Sequence, residues 1–304
     1  MIGKLDSPQA LQQDAAESAS FALSGWSTLA IQGPDALAFA QSQLMNDVGR
    51  LTDGTWQWSG WLSPKGRVIA LCLALRLDPE TLWLLLPDMP AGDLAGALQR
   101  FVFRSKVKII AMDHWRFAGR FIDSTEPPDC NARIKPDGST ILHFGTADGD
   151  GARQRRLQLF AGSAPGPLPE PDDLAEWLAC DLRAGLPHLD GTQSEQFTPQ
   201  MLALDRLRAF SVKKGCYPGQ EVVSRTHFLG KAKRRLCRLA LAPDVAAGVG
   251  TNVSDAESRV ISSLLNVVHT PAGIEALCIL DENSSPHVAG QPARRVPLLD
   301  LLPH

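Results

Sequence analysis

The chain has 304 residues, of which 44% are hydrophobic and 21% charged, and its formal net charge is −3. This length predicts about two domains, with a core that needs neither disulfides nor metal to hold it together. The slightly acidic balance argues against a general nucleic-acid coat and against an electrostatic membrane binder.

Cysteine spacing and hydropathy indicate the cellular environment. The six cysteines form no CxxC pair and no zinc-type pattern with histidine. The N-terminus lacks the apolar core of a secretory signal. Apolar runs such as LWLLLP at 82–87 are too short to span a bilayer. We therefore expect a cytoplasmic protein with reduced thiols and no membrane association.

The first 112 residues predict strands mixed irregularly with helices. Residues 1–20 are polar and predict a loose or helical leader. Residues 27–48 predict a strand and then an amphipathic helix that starts at Gly33-Pro34-Asp35. Residues 55–77, with a turn at Pro64-Lys65-Gly66, predict a β-hairpin. A strand at 81–87, a helix near 90–102 and a strand at 106–112 follow.

The rest of the chain predicts two further regions. Residues 113–161 predict strands joined by Gly, Pro and Asp turns, and the proline-rich residues 162–171 predict a linker. A helix is expected at 172–185, with acidic residues in its first turn and Gly185 at its end. Beyond 232, strand-like runs alternate with Gly- or Pro-containing loops, which indicates an all-β terminal module.

These elements lack the regular βαβ alternation of a parallel sheet, so we expect an α+β fold. We place a body at 1–231, with a middle lobe at roughly 101–171, and the terminal β module at 232–304. The chain has no GxGxxG or GxxxxGK[ST] phosphate loop, so nothing in it supports nucleotide-driven chemistry.

Residues 206–238 form a basic segment, with ten Lys and Arg against a single acidic residue, Glu221. One interpretation is a solvated face whose charge is balanced by acidic residues elsewhere in space. The other is a site for an anionic partner, such as a polycarboxylate, a phosphate tail or an RNA backbone. Because Cys216 lies inside the segment, we favour the second interpretation.

Cys216 stands in the stretch KKGCYPGQE at 213–221. The cationic Lys213, Lys214 and Arg225 and the start of a predicted helix would favour its thiolate form, which is the nucleophile and metal ligand. The alternative is a small buried residue in a tight turn, because free cysteines are commonly buried and inert.

The stretch KKGCYPGQEVVSR, preceded by EQFTPQMLALDRL and followed by GKAKRRL, closely resembles the signature of the YgfZ family. Members of this family are folate-binding relatives of the glycine-cleavage T-protein, an aminomethyltransferase. GPDALAFAQSQLMNDV, LSPKGRV and LRAGLPHLDG are also similar to its elements, so the resemblance covers about residues 22–240. It implies two intertwined α+β lobes around a central channel, and a C-terminal β-barrel. The channel would hold tetrahydrofolate or a related folate, with its glutamate tail towards basic residues.

The resemblance also implies a set of site residues. Cys216 would be the functional thiol, a redox group or a transient ligand, and Lys214 its activator. Residues expected to shape the turn or contact the folate are Tyr217, Gln220, Glu221, Arg225, Asp181, Arg183, Lys65 and Arg67.

The sequence departs from the T-protein pattern at two positions, and each departure removes a residue role that the T-protein has. Residues 67–71 contain no carboxylate where the T-protein has an essential aspartate, so we do not expect aminomethyltransferase activity. Arg183 stands where the T-protein has the glutamate that recognises the pterin, and a guanidinium can only donate hydrogen bonds. Either Asp181 takes over this role, or folate binds differently or weakly.

The favoured function is an accessory protein that supports iron–sulfur cluster assembly or repair and tRNA-modifying iron–sulfur enzymes. Its partners would be those enzymes, which we call its clients, or cluster assembly proteins. It would reach tRNA only through a client enzyme. The chain would act as a monomer. Cys216 would be a shared cluster ligand, with Cys237 a second thiol that the strand pattern places in a β-strand. One alternative is a folate-dependent one-carbon transferase or demethylase with Cys216 as nucleophile and His227 as base. Another is a tRNA-binding module that uses residues 206–238.

Overall fold

Three β-sheets frame the molecule. The computed structural model describes residues 20–304 except 148, 150, 163–169 and 231. The predicted leader and most of the predicted linker therefore lie outside the described residues.

The first sheet is built by the N-terminal part of the chain. This part of the chain contains, in order, β1 (Phe21–Ala22), β2 (Ser27–Gln32), α1 (Ala36–Gln43), a 3-10 turn (Val48–Arg50), β3 (Trp56–Leu62), β4 (Val68–Asp78), β5 (Thr81–Leu86), α2 (Ala91–Gln99) and β6 (Lys108–Ala111). The antiparallel order is β3-β4-β5-β2-β6. The predicted hairpin is confirmed, with Trp58 opposite Leu73 and a turn in which Gly66 has φ +69°.

The second sheet forms a middle lobe. It contains β7 (Trp115–Asp123), β8 (Ala132–Ile134), β9 (Thr140–Thr146) and β10 (Arg153–Ala161). Its order is β1-β7-β10-β9-β8, so the early strand β1 pairs with β7 across the boundary between the lobes. This exchange makes the two lobes intertwined.

Two helices connect the lobes to the rest of the chain. They are α3 (Pro171–Ala184), which ends at Gly185 in the left-handed conformation, and α4 (Gln220–Leu229). Trp177 of α3 belongs to an apolar core shared by both sheets, where Trp56, Trp58 and Phe144 are also buried. We call this aromatic centre the interlobe core.

The C-terminal region is a nearly closed, seven-stranded, barrel-like sheet. Its strands are β11 (Arg234–Leu241), β12 (Asn252–Ser254), β13 (Val260–Thr270), β14 (Gly273–Asp281), β15 (His287–Val288), β16 (Gln291–Pro292) and β17 (Arg294–Val296), in the order β16-β15-β12-β13-β14-β11-β17. It has a separate core that includes Leu239, Val253 and Ala276. The predicted α+β class with a C-terminal barrel is therefore confirmed, while the domain boundaries stay predictions.

Residues 298–302 leave the barrel and return to the middle lobe, and we call them the return segment. The Leu299 amide donates to the Arg183 carbonyl at 2.7 Å, and the Thr146 amide donates to the Leu301 carbonyl at 2.8 Å. Leu301 and Leu302 are buried. The return segment thus ties the barrel to both α3 and β9.

Over the described residues, none of the helices combines the length and the apolar character needed to cross a bilayer.

Candidate functional site

Residues 213–221 form the cysteine loop, which leads directly into α4. Cys216 is exposed at the surface of this loop, whereas the other five cysteines are buried or half-buried. Gly219 precedes the first residue of α4 and has φ +76°, a conformation that favours glycine. The loop therefore presents one accessible thiol next to the positive end of a helix dipole.

Lys214 anchors this loop to the end of α1. Its ammonium is buried and donates to the carbonyls of Gln41, Leu44 and Asn46 at 2.6, 2.5 and 3.0 Å. These carbonyls lie at the end of α1, where helical carbonyls lack partners within the helix. Burial lowers the pKa of the Lys214 ammonium to about 8, and the charge of Asp47 opposes this shift. Lys214 thus positions the loop, and its activation of Cys216 stays a prediction.

Tyr217 and Gln220 fix the backbone of the same loop. The buried Tyr217 hydroxyl donates to the Ser211 carbonyl at 3.1 Å, and burial raises its pKa to about 12. The Gln220 amide donates to the Lys214 carbonyl at 3.0 Å. Both side chains therefore hold the turn, while Glu221 and Arg225 are exposed on α4.

The hairpin turn between β3 and β4 packs against the cysteine loop through two glycines. A Cβ atom on Gly219 would lie 2.6 Å from the Gly66 Cα and 2.6 Å from the Ser63 carbonyl oxygen. This contact brings the turn that carries Lys65 and Arg67 to the loop, and the role of both residues in binding folate stays a prediction. Lys65 is exposed, and the Arg67 guanidinium donates to the Gln196 carbonyl at 2.6 Å.

Asp181 and Arg183 lie on α3 and are engaged in ion pairs. The Asp181 carboxylate is fully buried and lies 2.7 Å from an Arg155 nitrogen and 3.1 Å from His188 Nε2. His188 Nδ1 is in turn 2.6 Å from an Asp88 oxygen. The Arg183 guanidinium pairs with Glu176 at 2.8 Å and with Glu275 at 2.7 Å.

These contacts shift the pKa values of the buried groups. Burial opposes the charge of Asp181, but Arg155 and His188 hold its pKa below the usual range. Burial also opposes protonation of His188, but the carboxylates of Asp88 and Asp181 raise its pKa well above the usual value. The network is therefore held together by alternating charges.

The predicted site residues thus fall into two groups. One surrounds the cysteine loop, and the other lies on α3. In the part of the chain that the structure describes, no hydrogen bond or ion pair joins Asp181 or Arg183 to the cysteine loop. Their role in recognising a pterin stays a prediction.

The interlobe core contains buried donors that sequence reasoning missed. The Arg155 guanidinium lies 5.0 Å from the Phe144 ring centroid and 4.9 Å from that of Trp177. Within the described residues, Arg155 Nε and Nη2 and the indole nitrogens of Trp56, Trp58 and Trp177 have no hydrogen-bond partner. A buried donor without a partner is costly, so these groups are candidates to donate to a ligand that carries hydrogen-bond acceptors.

No signal in the sequence singled out Arg155. An arginine in a strand with alternating polarity is ordinarily exposed, and its partner Asp181 lies on another element. The pairing depends on how α3 packs on the middle sheet.

Part of the basic segment is engaged in structural contacts. Arg235 forms two hydrogen bonds with Asp205 at 2.8 and 2.9 Å, Arg238 pairs with Glu275, and Arg206 donates to two backbone carbonyls. Over the described residues, the exposed cations of the segment that form no ion pair include Arg208, Lys213, Arg225 and Lys233. Carboxylates of the described residues therefore balance only part of the segment's positive charge.

The described residues contain no group of three or more His, Cys, Asp or Glu side chains arranged to hold a metal ion. His227 is exposed and its ring lies edge-on to Phe228, with 4.9 Å between the centroids. Across the described chain it forms no hydrogen bond to Cys216, and its role as a base stays a prediction.

The fold and the cysteine loop define the class of protein. The structure is similar to the crystal structure of glycine cleavage system aminomethyltransferase T from Bartonella henselae, with a TM-score of 0.70 and 16% identity. The match covers 94% of this chain and 86% of that one. The fold is therefore that of the aminomethyltransferase T-proteins.

Sequence comparison identifies the family. The chain is 31% identical over 238 residues to tRNA-modifying protein YgfZ of Cronobacter sakazakii and 29% identical over 236 residues to that of Klebsiella pneumoniae. Each match covers 72% of this chain and 70% of the relative. An uncharacterized protein of Haemophilus influenzae is 27% identical, with 76% of both chains covered. No family model matches the sequence. The chain belongs to the YgfZ family.

Proposed function

We propose that this protein is a cytoplasmic, folate-binding accessory protein that supports iron–sulfur cluster assembly or repair, including that of tRNA-modifying iron–sulfur enzymes. The observation that carries the proposal is the exposed Cys216 on a loop fixed by Lys214, Tyr217 and Gln220. Family membership, together with the tRNA-modifying role in the names of two relatives, supports tRNA-modifying enzymes as the proteins that it assists.

Cys216 acts as a transient ligand for a cluster that is cargo. Common clusters require four protein ligands, so the others come from the partner. The exposed Phe228 and Leu229 at the far end of α4 add apolar surface on the helix that follows the loop. A partner that docks on this helix brings its own ligands to the thiol.

We place the pterin at the donors of the interlobe core rather than at Asp181 and Arg183. Arg155 Nε and Nη2 and the indole groups supply unpartnered donors, whereas Asp181 and Arg183 are committed to ion pairs. When bound, tetrahydrofolate supplies a reduced pterin and its one-carbon chemistry. The protein's part is to donate hydrogen bonds to the pterin and to keep it away from water.

The thiol function is tested by complementation. In a bacterial strain that lacks its own relative of this protein, wild type restores the tRNA nucleosides made by iron–sulfur enzymes, measured by mass spectrometry of total tRNA. Cys216→Ser fails to restore them because serine is a poor cluster ligand. Cys237→Ser, a half-buried thiol in the barrel, is the matched control and restores them. Full activity of Cys216→Ser would refute the role of the thiol.

The folate site is tested by anaerobic calorimetry with tetrahydrofolate. Arg155→Lys keeps a positive charge for Asp181 but removes the orphaned donors, so we expect about a tenfold loss of affinity with the fold retained. Arg183→Lys is the control, and its affinity stays that of wild type. If Arg183→Lys loses binding and Arg155→Lys does not, the site lies where the family resemblance places it and not at Arg155.

A further inference from the structure

A second surface, distant in sequence from the cysteine loop, combines exposed aromatic and cationic side chains. Residues 100–108 read RFVFRSKVK, which is four basic residues and no acidic one. Phe103 is 85% exposed and Phe101 is 39% exposed. We call these residues the aromatic–basic strip.

The cations of the strip are free to bind a ligand. Arg100, Arg104, Lys106 and Lys108 are all exposed, and among the residues described by the structure none of them forms an ion pair. From Arg104 to Ile110 exposed and half-buried residues alternate, so Lys106 and Lys108 point to the same side. This differs from residues 206–238, where Arg206, Arg235 and Arg238 are paired with carboxylates.

The strip is fixed in place by the turn before α1. The Lys106 amide donates to an Asp35 carboxylate oxygen at 2.7 Å. The carbonyl of Lys106 packs directly over Gly33, whose φ is +129° and which has no room for a side chain. Phe101 contacts Trp61 edge-on, with 5.9 Å between the ring centroids. The strip therefore presents its groups on a rigid surface.

A groove runs beside the strip. It encloses about 510 Å³ and is lined by residues 32–34 on one side and 105–108 on the other. This volume lies within the range of small-molecule pockets. Lys106 and Lys108 line the groove, and Phe103 lies two residues before its first lining residue in this segment.

Lysines on an edge strand have an ordinary explanation, because they prevent sheets from pairing edge to edge. Lys108 on β6, which is an edge strand, fits this explanation. It does not account for a phenylalanine that is 85% exposed between two arginines. Aromatic side chains interleaved with cations are typical of surfaces that bind single-stranded nucleic acid, where bases stack and phosphates pair with cations.

We propose that the aromatic–basic strip binds a single-stranded segment of RNA. A base stacks on Phe103, and Arg104, Lys106 and Lys108 contact the backbone phosphates. Duplex RNA is disfavoured because its bases are not free to stack on a side chain. This binding site goes beyond the proposed function and needs neither Cys216 nor folate.

The test is fluorescence anisotropy of the full chain with a labelled, mixed-sequence single-stranded RNA oligonucleotide at several salt concentrations. Phe103→Ala should weaken binding about tenfold, since one stacked base is lost. K106Q/K108Q should weaken binding and reduce the slope of log affinity against log salt by about 0.7 for each phosphate that a lysine no longer neutralises. Thermal unfolding checks that these exposed substitutions leave the fold intact.

Matched controls come from the other basic region. Phe228→Ala removes another exposed aromatic side chain, which is 67% exposed, and K213Q/K233Q removes two exposed cations without ion partners. Both variants should bind like wild type. Equal losses in strip and control variants, absence of binding at low salt, or equal affinity for a duplex of the same sequence would overturn the proposal. Tighter binding of an acidic peptide that also depends on Phe103 would assign the strip to a protein partner instead. Because the assay does not involve Cys216, it can fail while the proposed thiol function stands.

Discussion

At the scale of single residues, Lys214 is the side chain on which the geometry of the candidate site depends most. Its ammonium closes the end of α1 and lies 5.0 Å from the ring centroid of Tyr217. One buried charge thus joins a helix of the first lobe to the loop that presents Cys216. A positioning role and an activating role for Lys214 have different measurable consequences.

Lys214→Met should lower the free energy of unfolding by about 3 kcal/mol, because hydrogen bonds from a charged group to three carbonyls are removed. Denaturant unfolding measures this decrease, and Lys213→Met, an exposed neighbour, is the control that should leave stability unchanged.

The rate of Cys216 alkylation separates the two roles. If Lys214 only positions the loop, the folded variant reacts at the wild-type rate. A decrease of about tenfold at neutral pH, with the fold retained, would show that Lys214 favours the thiolate.

At the scale of elements, the chain Arg155–Asp181–His188–Asp88 joins the middle sheet, α3, the segment after α3 and the end of the first sheet. Charges alternate along it, so each group stabilises the charged form of its neighbour. The network makes the packing of α3 dependent on pH.

His188→Gln should reduce stability by about 3 kcal/mol near pH 6, because a buried, paired charge is removed. The folded-state pKa of His188 is raised, so its contribution is fully present below the unfolded value near 6.5 and is lost as pH rises through the folded value. The difference between wild type and variant should therefore shrink at alkaline pH.

Urea midpoints of both proteins from pH 6 to pH 10 measure this difference. The pKa of Lys214 is lowered to about 8, so its deprotonation makes stability rise with pH above that value. This rise is the same in wild type and variant, and it therefore cancels in their difference. A difference that stays constant across the range would mean that His188 is not charged in the folded state.

Local sequence patterns predicted elements well and predicted the pairing of side chains between elements poorly. The β3–β4 hairpin and α4 followed from turn chemistry and periodicity within about 20 residues. The partners of Lys214, by contrast, lie 168 to 173 residues away. Likewise, Glu275, the carboxylate that pairs with Arg238 of the basic segment, belongs to another element. The pairing of Asp181 with Arg155 could not be predicted either, because it forms only when α3 packs on the middle sheet.

At the scale of the whole molecule, the return segment links the barrel to the intertwined lobes. Arg206 strengthens this link by donating to the carbonyls of Ala184 and Leu299 at 2.8 and 2.9 Å. The barrel is therefore attached at its far end as well as through β11.

Removal of residues 298–304 should lower the free energy of unfolding by about 5 kcal/mol, because two buried leucines and their backbone hydrogen bonds are removed. Removal of residues 303–304 alone is the control, and it should lower the free energy of unfolding much less. Calorimetry distinguishes the outcomes, and an unchanged unfolding temperature after the larger deletion would show that the return segment is dispensable.

The same link has a consequence for synthesis of the protein. The amide of Thr146 and the surface around Gly145 in β9 are covered by Leu301, which leaves the ribosome only after every barrel strand has been made. Until then the nascent middle lobe exposes apolar surface that the finished protein hides. Molecular chaperones that bind such surface should therefore associate with this chain during translation and be released once the barrel has folded back.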